Sequence, residues 1–214
     1  MYEVKALLKV LEILATLYPE PTTMLNHNNP FELLVATILS AQCTDERVNL
    51  ITAELFPAFP TPEDLAKAGF EEVASKIKSA GLWKTKAANL IKTAQILVSE
   101  HDSIVPQTRE ELEALPGVGR KTANVVMSNA FKIPAIAVDT HVFRVANRIG
   151  LANATNTYQT ELQLMDKIPK ELWNDAHHWL ILHGRALCRA RNPLCEKCPL
   201  QNYCNHYQAD QAII

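Results

Sequence analysis

Apolar residues recur along this chain at helical spacing, in segments separated by prolines, glycines and short polar turns. Over residues 4–18 they follow the three- and four-residue spacing of one helix face, and Pro19 ends the segment. Residues 31–39 are strongly apolar and predict a buried helix, with Asn29 as its N-cap and Pro30 in its first turn. Further helices are predicted over residues 45–55, 61–68, 70–80, 84–101, 108–115, 120–130, 140–148, 157–167 and 170–183.

Local signals at the ends of these segments refine the prediction. Gly81 is expected to close the helix that precedes it, and Thr108 opens a capping box at the start of a short helix. The β-branched run over residues 133–138 is short and is interrupted by Pro134, so we expect an extended loop there rather than a strand. The chain is therefore predicted to be all-α.

Length and composition narrow the class of protein. The 214 residues suit one large domain or two small ones, and 48% hydrophobic with 21% charged residues is close to the globular average, which excludes disordered and fibrous proteins. No apolar run approaches the roughly 18 residues that a membrane span requires, and the first residues lack the pattern of a signal peptide. We therefore expect a cytoplasmic protein without a membrane partner.

Charge is distributed unevenly along the chain. The net charge is only −2, but residues 115–149 hold five basic residues against one acidic residue, and residues 184–199 hold four against one. Most clusters of this kind are solvated surface, so the two zones are compatible with nucleic-acid binding but do not establish it.

The sequence LPGVGRKTA at positions 115–123 is the first motif with a chemical meaning. A helix stops at a proline, two glycines allow a tight turn, and a new helix begins at once, which is the pattern of a helix-hairpin-helix. With positive φ angles, Gly117 and Gly119 would let backbone N–H groups and the positive helix end face a phosphate. Such a hairpin grips the DNA backbone without reading its sequence. Any helical hairpin can carry glycines, but this dense motif favours DNA binding.

Four of the five cysteines form the second motif. They fall within 17 residues at the uneven spacing C-x6-C-x2-C-x5-C. Without a sign of export, metal or cluster ligation is favoured over disulfides. Structural zinc commonly uses two short C-x2–4-C pairs, and only one such pair is present here. The spacing therefore favours a four-iron four-sulfur cluster and leaves zinc as the alternative. The candidate ligands are Cys188, Cys195, Cys198 and Cys204.

With three further segments, these motifs make the chain resemble the endonuclease III branch of the helix-hairpin-helix DNA glycosylases. The segments are LSAQCTD at 39–45, IAVDTHVFRV at 136–145 and HHWLILHGR at 177–185, so the resemblance covers nearly the whole chain. It implies a six-helix barrel domain over residues 22–134 that contains the hairpin. It also implies an iron–sulfur cluster domain built from residues 1–21 and 135–214, with a DNA cleft between the two domains.

The resemblance further implies an activity and its partners. The expected activity is that of a bifunctional DNA glycosylase and abasic-site (AP) lyase, which removes oxidised pyrimidines from duplex DNA and then cleaves by β-elimination. The expected cofactor is a 4Fe-4S cluster held by the four cysteines. The expected partner is double-stranded DNA with oxidised pyrimidines or abasic sites, bound by a monomer that is associated with the bacterial nucleoid.

Two residues carry the chemistry in this interpretation. An amine that replaces the base at C1′ yields a Schiff base, which acidifies the C2′ proton and permits strand cleavage. Lys121, at a helix start in the first basic zone, would supply that amine, and a solvated surface lysine is the alternative. Asp139 is the only acid in that zone. The resemblance makes it the catalytic carboxylate, and an ordinary N-cap is the alternative.

Attack at C1′ requires the nucleotide to turn out of the stack, and protein side chains must fill the gap. Gln42 and Leu82 match the family's gap-filling positions. The alternatives are a polar residue at a helix end for Gln42 and a core residue for Leu82. The remaining residues assigned to DNA contact are Gly117, Gly119, Arg120, His141, Arg144, Arg189 and Arg191.

Two other functions are compatible with the same motifs. Adenine-excising relatives share the hairpin and the cluster, but they have no lysine at the position of Lys121 and carry a further C-terminal domain, which we do not expect here. A DNA-binding module without catalysis would use the hairpin and the cluster as structural parts only. The presence of both Lys121 and Asp139 argues against that second alternative.

Overall fold

The computed structural model describes residues 4–211, and its regular elements are helices. Three short 3₁₀ turns lie at Lys170–Leu172, Cys195–Lys197 and Gln201–Tyr203. The prediction of an all-α protein is therefore confirmed. The α-helices in chain order are α1 (Val4–Leu17), α2 (Pro30–Leu39), α3 (Asp45–Ala58), α4 (Pro62–Lys67), α5 (Phe70–Ile77), α6 (Trp83–Glu100), α7 (Arg109–Ala114), α8 (Arg120–Ala130), α9 (Thr140–Ile149), α10 (Thr157–Lys167), α11 (Trp173–Ala186) and α12 (Asn205–Gln211).

The chain forms two compact units. One is Thr23–Ile133, which contains α2 to α8. The other combines the chain up to Thr22 with the chain from Pro134 onward, and it contains α1 and α9 to α12. The second unit is therefore discontinuous in sequence.

Helix α2 is the most deeply buried element of the Thr23–Ile133 unit. Every residue from Phe31 to Leu39 is buried, and the helix contacts α3, α6 and α8. A helix that is apolar all round is stable only inside a core, where burial contributes about 25 cal/mol per Å² of apolar surface. Its start forms as predicted, because Oδ1 of Asn29 accepts a hydrogen bond from the Glu32 amide at 2.9 Å and Pro30 occupies the first turn.

The other unit has a core of its own, to which the N-terminal helix contributes. Leu7 and Leu14 of α1 belong to one buried cluster with Val145 of α9 and Leu180 of α11. Helix α1 presents a narrow apolar stripe, and it buries that stripe against helices that occur much later in the chain. The predicted loop over residues 133–138 is extended and contains no strand, and its residues Ile136 and Val138 belong to this core.

Several elements differ from the prediction. The helix expected over residues 170–183 is a 3₁₀ turn followed by α11, which runs on to Ala186. Helix α3 extends beyond Leu55 and holds Pro57 in its last turn. Helix α12 was not predicted because its sequence, NHYQADQ, has no apolar periodicity, and the 3₁₀ turns between the cysteines are too short to show one.

No helix within residues 4–211 has both the length and the apolar character needed to cross a membrane.

Candidate functional site

The hairpin between α7 and α8 makes its tight turn at Gly117. This residue has φ +79°, and a Cβ atom there would lie 2.9 Å from Nδ2 of Asn89, so both conformation and space require glycine. Gly119 has φ −102° with open space around it, so the expectation of a positive φ at Gly119 is wrong. As the N-cap of α8 it makes no side-chain capping hydrogen bond, which is a feature of helix ends that bind anions through their amides.

Neighbouring helices hold the hairpin in place. Oγ1 of Thr93 on α6 donates a hydrogen bond to the carbonyl oxygen of Pro116 at 3.0 Å. Nε of Arg109 on α7 donates to Oδ1 of the fully buried Asn124 on α8 at 2.9 Å. The roles of Thr93, Arg109 and Asn124 were not predicted, although a polar side chain on the buried face of an amphipathic helix is a signal that points to such contacts.

Lys121 is the second residue of α8, and its side chain is exposed. It lies at the helix end where backbone amides and the helix dipole attract anions. The structure therefore places an accessible amine on the first turn of a helix whose end is of the kind that attracts anions.

Gln42 and Leu82 occupy two turns that pack together within the Thr23–Ile133 unit. Both are left-handed, with φ 55° and 58°, which is uncommon for residues other than glycine. A Cβ atom at Gly81 would lie 3.2 Å from the carbonyl oxygen of Gln42, so the turns meet at their backbones. The left-handed residue before α6 is Leu82, and not Gly81 as expected.

The side chains in these two turns are accessible. Leu82 is 59% exposed, so the alternative that it belongs to the core is wrong. Gln42 is also exposed and lies just beyond the end of α2. Two protruding side chains of this kind suit a role against an external surface.

Asp139 is the N-cap of α9. Its Oδ1 accepts hydrogen bonds from the amides of His141 and Val142, both at 2.8 Å. Because both bonds end on Oδ1, the cap does not use the second carboxylate oxygen. The structure therefore shows the capping role directly and leaves one oxygen of this half-buried carboxylate for another task.

Arg144 on α9 donates to several protein acceptors. Its Nε lies 3.1 Å from the carbonyl oxygen of Cys188, and its Nη2 lies 3.1 Å from the carbonyl oxygen of Gly184 and 3.2 Å from Nδ1 of His141. Gly184 leaves room for this arginine, because a Cβ atom there would lie 3.1 Å from Nη2. Arg144 thus connects α9 to the end of α11 and to the first cysteine of the motif.

The four cysteines of the motif line one cavity and form no disulfides. Burial raises the pKa of the Cys198 and Cys204 thiols, and Cys188 raises the pKa of both further. Four neighbouring thiolates therefore need compensating positive charge, which the irons of a cluster supply. Among the described residues, no three His, Cys, Asp or Glu side chains have the spacing of ligands to a single metal ion, whereas in a four-iron cluster each thiolate binds its own iron. The donor set fits an iron–sulfur cluster.

Polar groups surround the thiol sulfurs. Nη1 of Arg148 lies 3.6 Å from Sγ of Cys188, and Nε2 of His183 lies 3.4 Å from Sγ of Cys198. Burial lowers the pKa of His183 to about 4, so the ring is neutral at pH 7 and acts as a hydrogen-bonding neighbour of the thiol. Nδ1 of the same ring lies 3.3 Å from the Tyr18 hydroxyl.

Arg148 also holds the loop that follows the first cysteine. It donates through Nη1 to the carbonyl oxygen of Arg189 at 2.7 Å and through Nη2 to that of Ala190 at 3.2 Å. The side chains of Arg189 and Arg191 are exposed on this loop. In the sequence Arg148 is only one member of a basic zone, because its partners lie some forty residues later in the chain.

Two families of known proteins match the segments that carry the hairpin and the cysteine motif. Residues 35–170 match the HhH-GPD superfamily of base excision DNA repair proteins. Residues 188–204 match the iron-sulfur binding domain of endonuclease III, and this segment contains all four cysteines of the motif.

Relatives and solved structures resemble the chain over almost its full length. Endonuclease III of Escherichia coli (strain K12) is 52% identical over 201 residues, which cover 92% of this chain and 95% of the relative. Endonuclease III of Bacillus subtilis (strain 168) is 46% identical over 209 residues, covering 97% and 95%. The solved structures of a trapped endonuclease III–DNA covalent intermediate and of a non-covalent endonuclease III–DNA complex each have a TM-score of 0.93 and 44% identity, covering 99% of this chain and 100% of theirs.

Proposed function

The chain belongs to the endonuclease III branch of the HhH-GPD base excision DNA repair proteins, and on this premise we propose which damage it removes and which residues act. It is a bifunctional DNA glycosylase and AP lyase of base excision repair. Its substrates, we infer, are oxidised pyrimidines and abasic sites in duplex DNA. The observation that supports the lyase assignment is Lys121, an accessible amine at the start of the helix that follows the hairpin.

Lys121 supplies the nucleophile for both steps. The neutral Nζ attacks C1′ of the extruded nucleotide, the bond from C1′ to the base breaks, and the base leaves with the bonding electrons and takes up a proton. Opening of the sugar ring gives an imine between Nζ and C1′. Loss of the C2′ proton then expels the 3′-phosphate with the electrons of its C3′–O bond, and hydrolysis of the imine restores the amine.

Asp139 has two tasks in this scheme. Oδ1 caps α9, which fixes the direction of the carboxylate. The second oxygen stabilises the positive charge that develops on the sugar as the base leaves and takes part in proton transfer.

Gln42 and Leu82 fill the gap in the duplex that the extruded nucleotide leaves. Their exposure at the tips of two adjoining turns supports this assignment. An apolar side chain and an amide suit the task because one replaces lost stacking and the other offers hydrogen bonds to the orphaned base.

Contacts to the DNA backbone come from two places. The hairpin contributes backbone amides around Gly117 and Gly119 together with Arg120, and the loop after Cys188 contributes Arg189 and Arg191. Exposure of both loop arginines supports this proposal. Direct contacts from His141 and Arg144 stay predictions.

The cofactor is a 4Fe-4S cluster, for which the segment 188–204 supplies the ligands. When bound, the cluster supplies positive charge to four thiolates and holds the loop between them in one conformation. The ligands are Cys188, Cys195, Cys198 and Cys204. A monomeric state and association with the nucleoid stay predictions.

Trapping of the imine tests the proposed function. Borohydride added during turnover on a duplex with one oxidised pyrimidine should reduce the imine to a stable protein–DNA adduct, and peptide mapping should place the link on Lys121. Lys121→Gln should give no adduct while it still binds the duplex, because the hairpin grips phosphate through its backbone.

Lys132→Gln is the matched control, since Lys132 is another exposed lysine of the same basic zone. This variant should form the adduct at the wild-type level. An adduct on a residue other than Lys121 would contradict the assignment of the nucleophile. Base release without any adduct would instead indicate a glycosylase without lyase activity.

A further inference from the structure

Lys86 is a buried lysine at the start of α6. Its side chain is 4% exposed, and its Nζ donates to the carbonyl oxygens of Leu39 at 2.8 Å and Ala41 at 2.6 Å. Leu39 is the last residue of α2, and Ala41 lies in the turn that follows. Carbonyl groups at a helix C-terminus lack partners within the helix and carry partial negative charge, so a buried ammonium is well placed there.

Lys86 also makes a hydrogen bond to the turn that contains Leu82. The backbone amide of Lys86 donates to the carbonyl oxygen of Leu82 at 3.0 Å. This is the ordinary first-turn hydrogen bond of α6, so Lys86 is joined to Leu82 through the helix backbone, while its side chain holds Leu39 and Ala41, close before Gln42. Burial lowers the pKa of Lys86 from its ordinary value, in accord with an ammonium enclosed by protein.

The Gln42 turn has one local hydrogen bond, from the Cys43 amide to the carbonyl oxygen of Ser40 at 3.1 Å, whereas the Leu82 turn has no side-chain cap. Leu82 is the N-cap of α6 but makes no side-chain capping hydrogen bond. Left-handed residues other than glycine are strained, and they persist only where the surrounding structure holds them. The two turns also approach each other closely, because a Cβ atom at Gly81 would lie 3.2 Å from the carbonyl oxygen of Gln42, so a shift of one turn would disturb the other.

We propose that Lys86 is a positioning residue that fixes the distance between Gln42 and Leu82, and thereby prepares both side chains to enter the duplex gap. This inference rests on the proposed function, because it concerns the extrusion step. Extrusion is required for release of a base from intact duplex but matters less at an abasic site, where no base remains to be unstacked. Loss of Lys86 should therefore impair the two reactions unequally.

The test compares two single-turnover rates in the full-length protein with its cluster. One is base release from a duplex with one thymine glycol, and the other is β-elimination at a pre-formed abasic site. Lys86→Met keeps an apolar stem of similar length but removes the ammonium and both of its hydrogen bonds, while the backbone bond to Leu82 remains. The ratio of the first rate to the second should fall at least about tenfold, because a small displacement of positioning groups has large effects on rate.

Two further variants separate positioning from general effects. Lys86→Arg retains charge and donors and should restore the ratio to within about threefold of wild type. Lys84→Met removes the same charge from an exposed position two residues earlier on α6, so its ratio should equal that of wild type.

The outcomes distinguish this inference from the proposed function. A wild-type protein that performs neither reaction overturns the proposed function. If the wild type performs both reactions and a folded Lys86→Met variant has an unchanged ratio, the inference is overturned and the proposed function stands. Should Lys86→Met fail to fold, Gly81→Ala tests the same arrangement, because its Cβ would displace the Gln42 carbonyl. A ratio lowered about threefold is then expected, and an unchanged ratio overturns the inference.

Discussion

At the scale of single residues, Asp139 has a capping role that the structure shows and a catalytic role that we propose. The N-cap and the catalytic carboxylate are competing interpretations of the sequence. In the structure they involve different atoms, since both capping bonds end on Oδ1. The capping role is established, and it gives the second oxygen the fixed orientation that a reacting group needs.

Asp139→Asn separates the two roles. The amide oxygen can accept the same two backbone hydrogen bonds, so the free energy of unfolding should change by less than about 1 kcal/mol. Base release should fall at least about a hundredfold, because a neutral amide cannot stabilise positive charge on the sugar or take up a proton. Thermal unfolding and single-turnover base release measure the two effects.

Asp139→Ala is the comparison for the cap. It removes both the charge and the acceptor, so it should lose about 1 kcal/mol of stability in addition to activity. Full activity in Asp139→Asn would show that capping is the only role of this residue.

At the scale of elements, helix α9 organises the cysteine loop. Its N-cap is Asp139. Arg144 and Arg148, which lie four residues apart on the helix, both donate to backbone carbonyl groups between Gly184 and Ala190. Side chains at this spacing share one helix face. The helix therefore fixes the loop through its backbone, and the loop's own arginine side chains stay exposed.

The exposed loop arginines give a prediction for DNA affinity. A variant with Arg189→Ala and Arg191→Ala should bind duplexes of different sequence more weakly by the same factor, because phosphate contacts carry no sequence information. The slope of log Kd against log salt concentration should fall by about two. Fluorescence anisotropy over a range of salt concentrations measures both quantities.

A control with the same change in charge accompanies this measurement. Lys5 and Lys9 are exposed on α1, and their double substitution by alanine should leave the salt slope at the wild-type value. An equal loss of slope in both double variants, or an effect confined to one DNA sequence, would contradict a specific role for the loop.

At the scale of the whole molecule, the segment that carries the cysteines has little core of its own. Between Cys188 and Cys204 its regular structure is two 3₁₀ turns, and Leu200 is its fully buried side chain. Small elements that bury little apolar surface are commonly stabilised by a metal centre. A bound cluster would therefore stabilise this segment, while the helices of this unit share an apolar core that Leu200 joins.

Removal of the cluster should have a local effect. The purified protein should be brown with about four irons per chain, and Cys198→Ser should lose most of that iron. Without the cluster, proteolysis should cut within residues 188–204, while far-UV circular dichroism retains most of the helical signal. Cys43→Ser is the control and should keep its iron, because Cys43 lies outside the motif. A colourless protein with zinc and no iron would contradict the cofactor assignment.

Features that depend on a few consecutive residues could be read from the sequence alone. The N-cap at Asn29 and the cap at Thr108, where Oγ1 accepts from the Glu111 amide, are present as predicted. The positions at which helices begin, the hairpin and the cysteine spacing are also features that depend on a few consecutive residues. Each is decided by interactions within one or two turns, where backbone geometry leaves few alternatives.

Only the tertiary structure decided how distant residues use their side chains. The burial of Lys86, the exposure of Leu82 and the attachment of Arg144 all depend on partners from other elements. A lysine, a leucine and an arginine have the same local pattern whether they face solvent or protein. Their roles are determined by which carbonyl groups and apolar surfaces the packing brings near them, and that is a property of the folded chain.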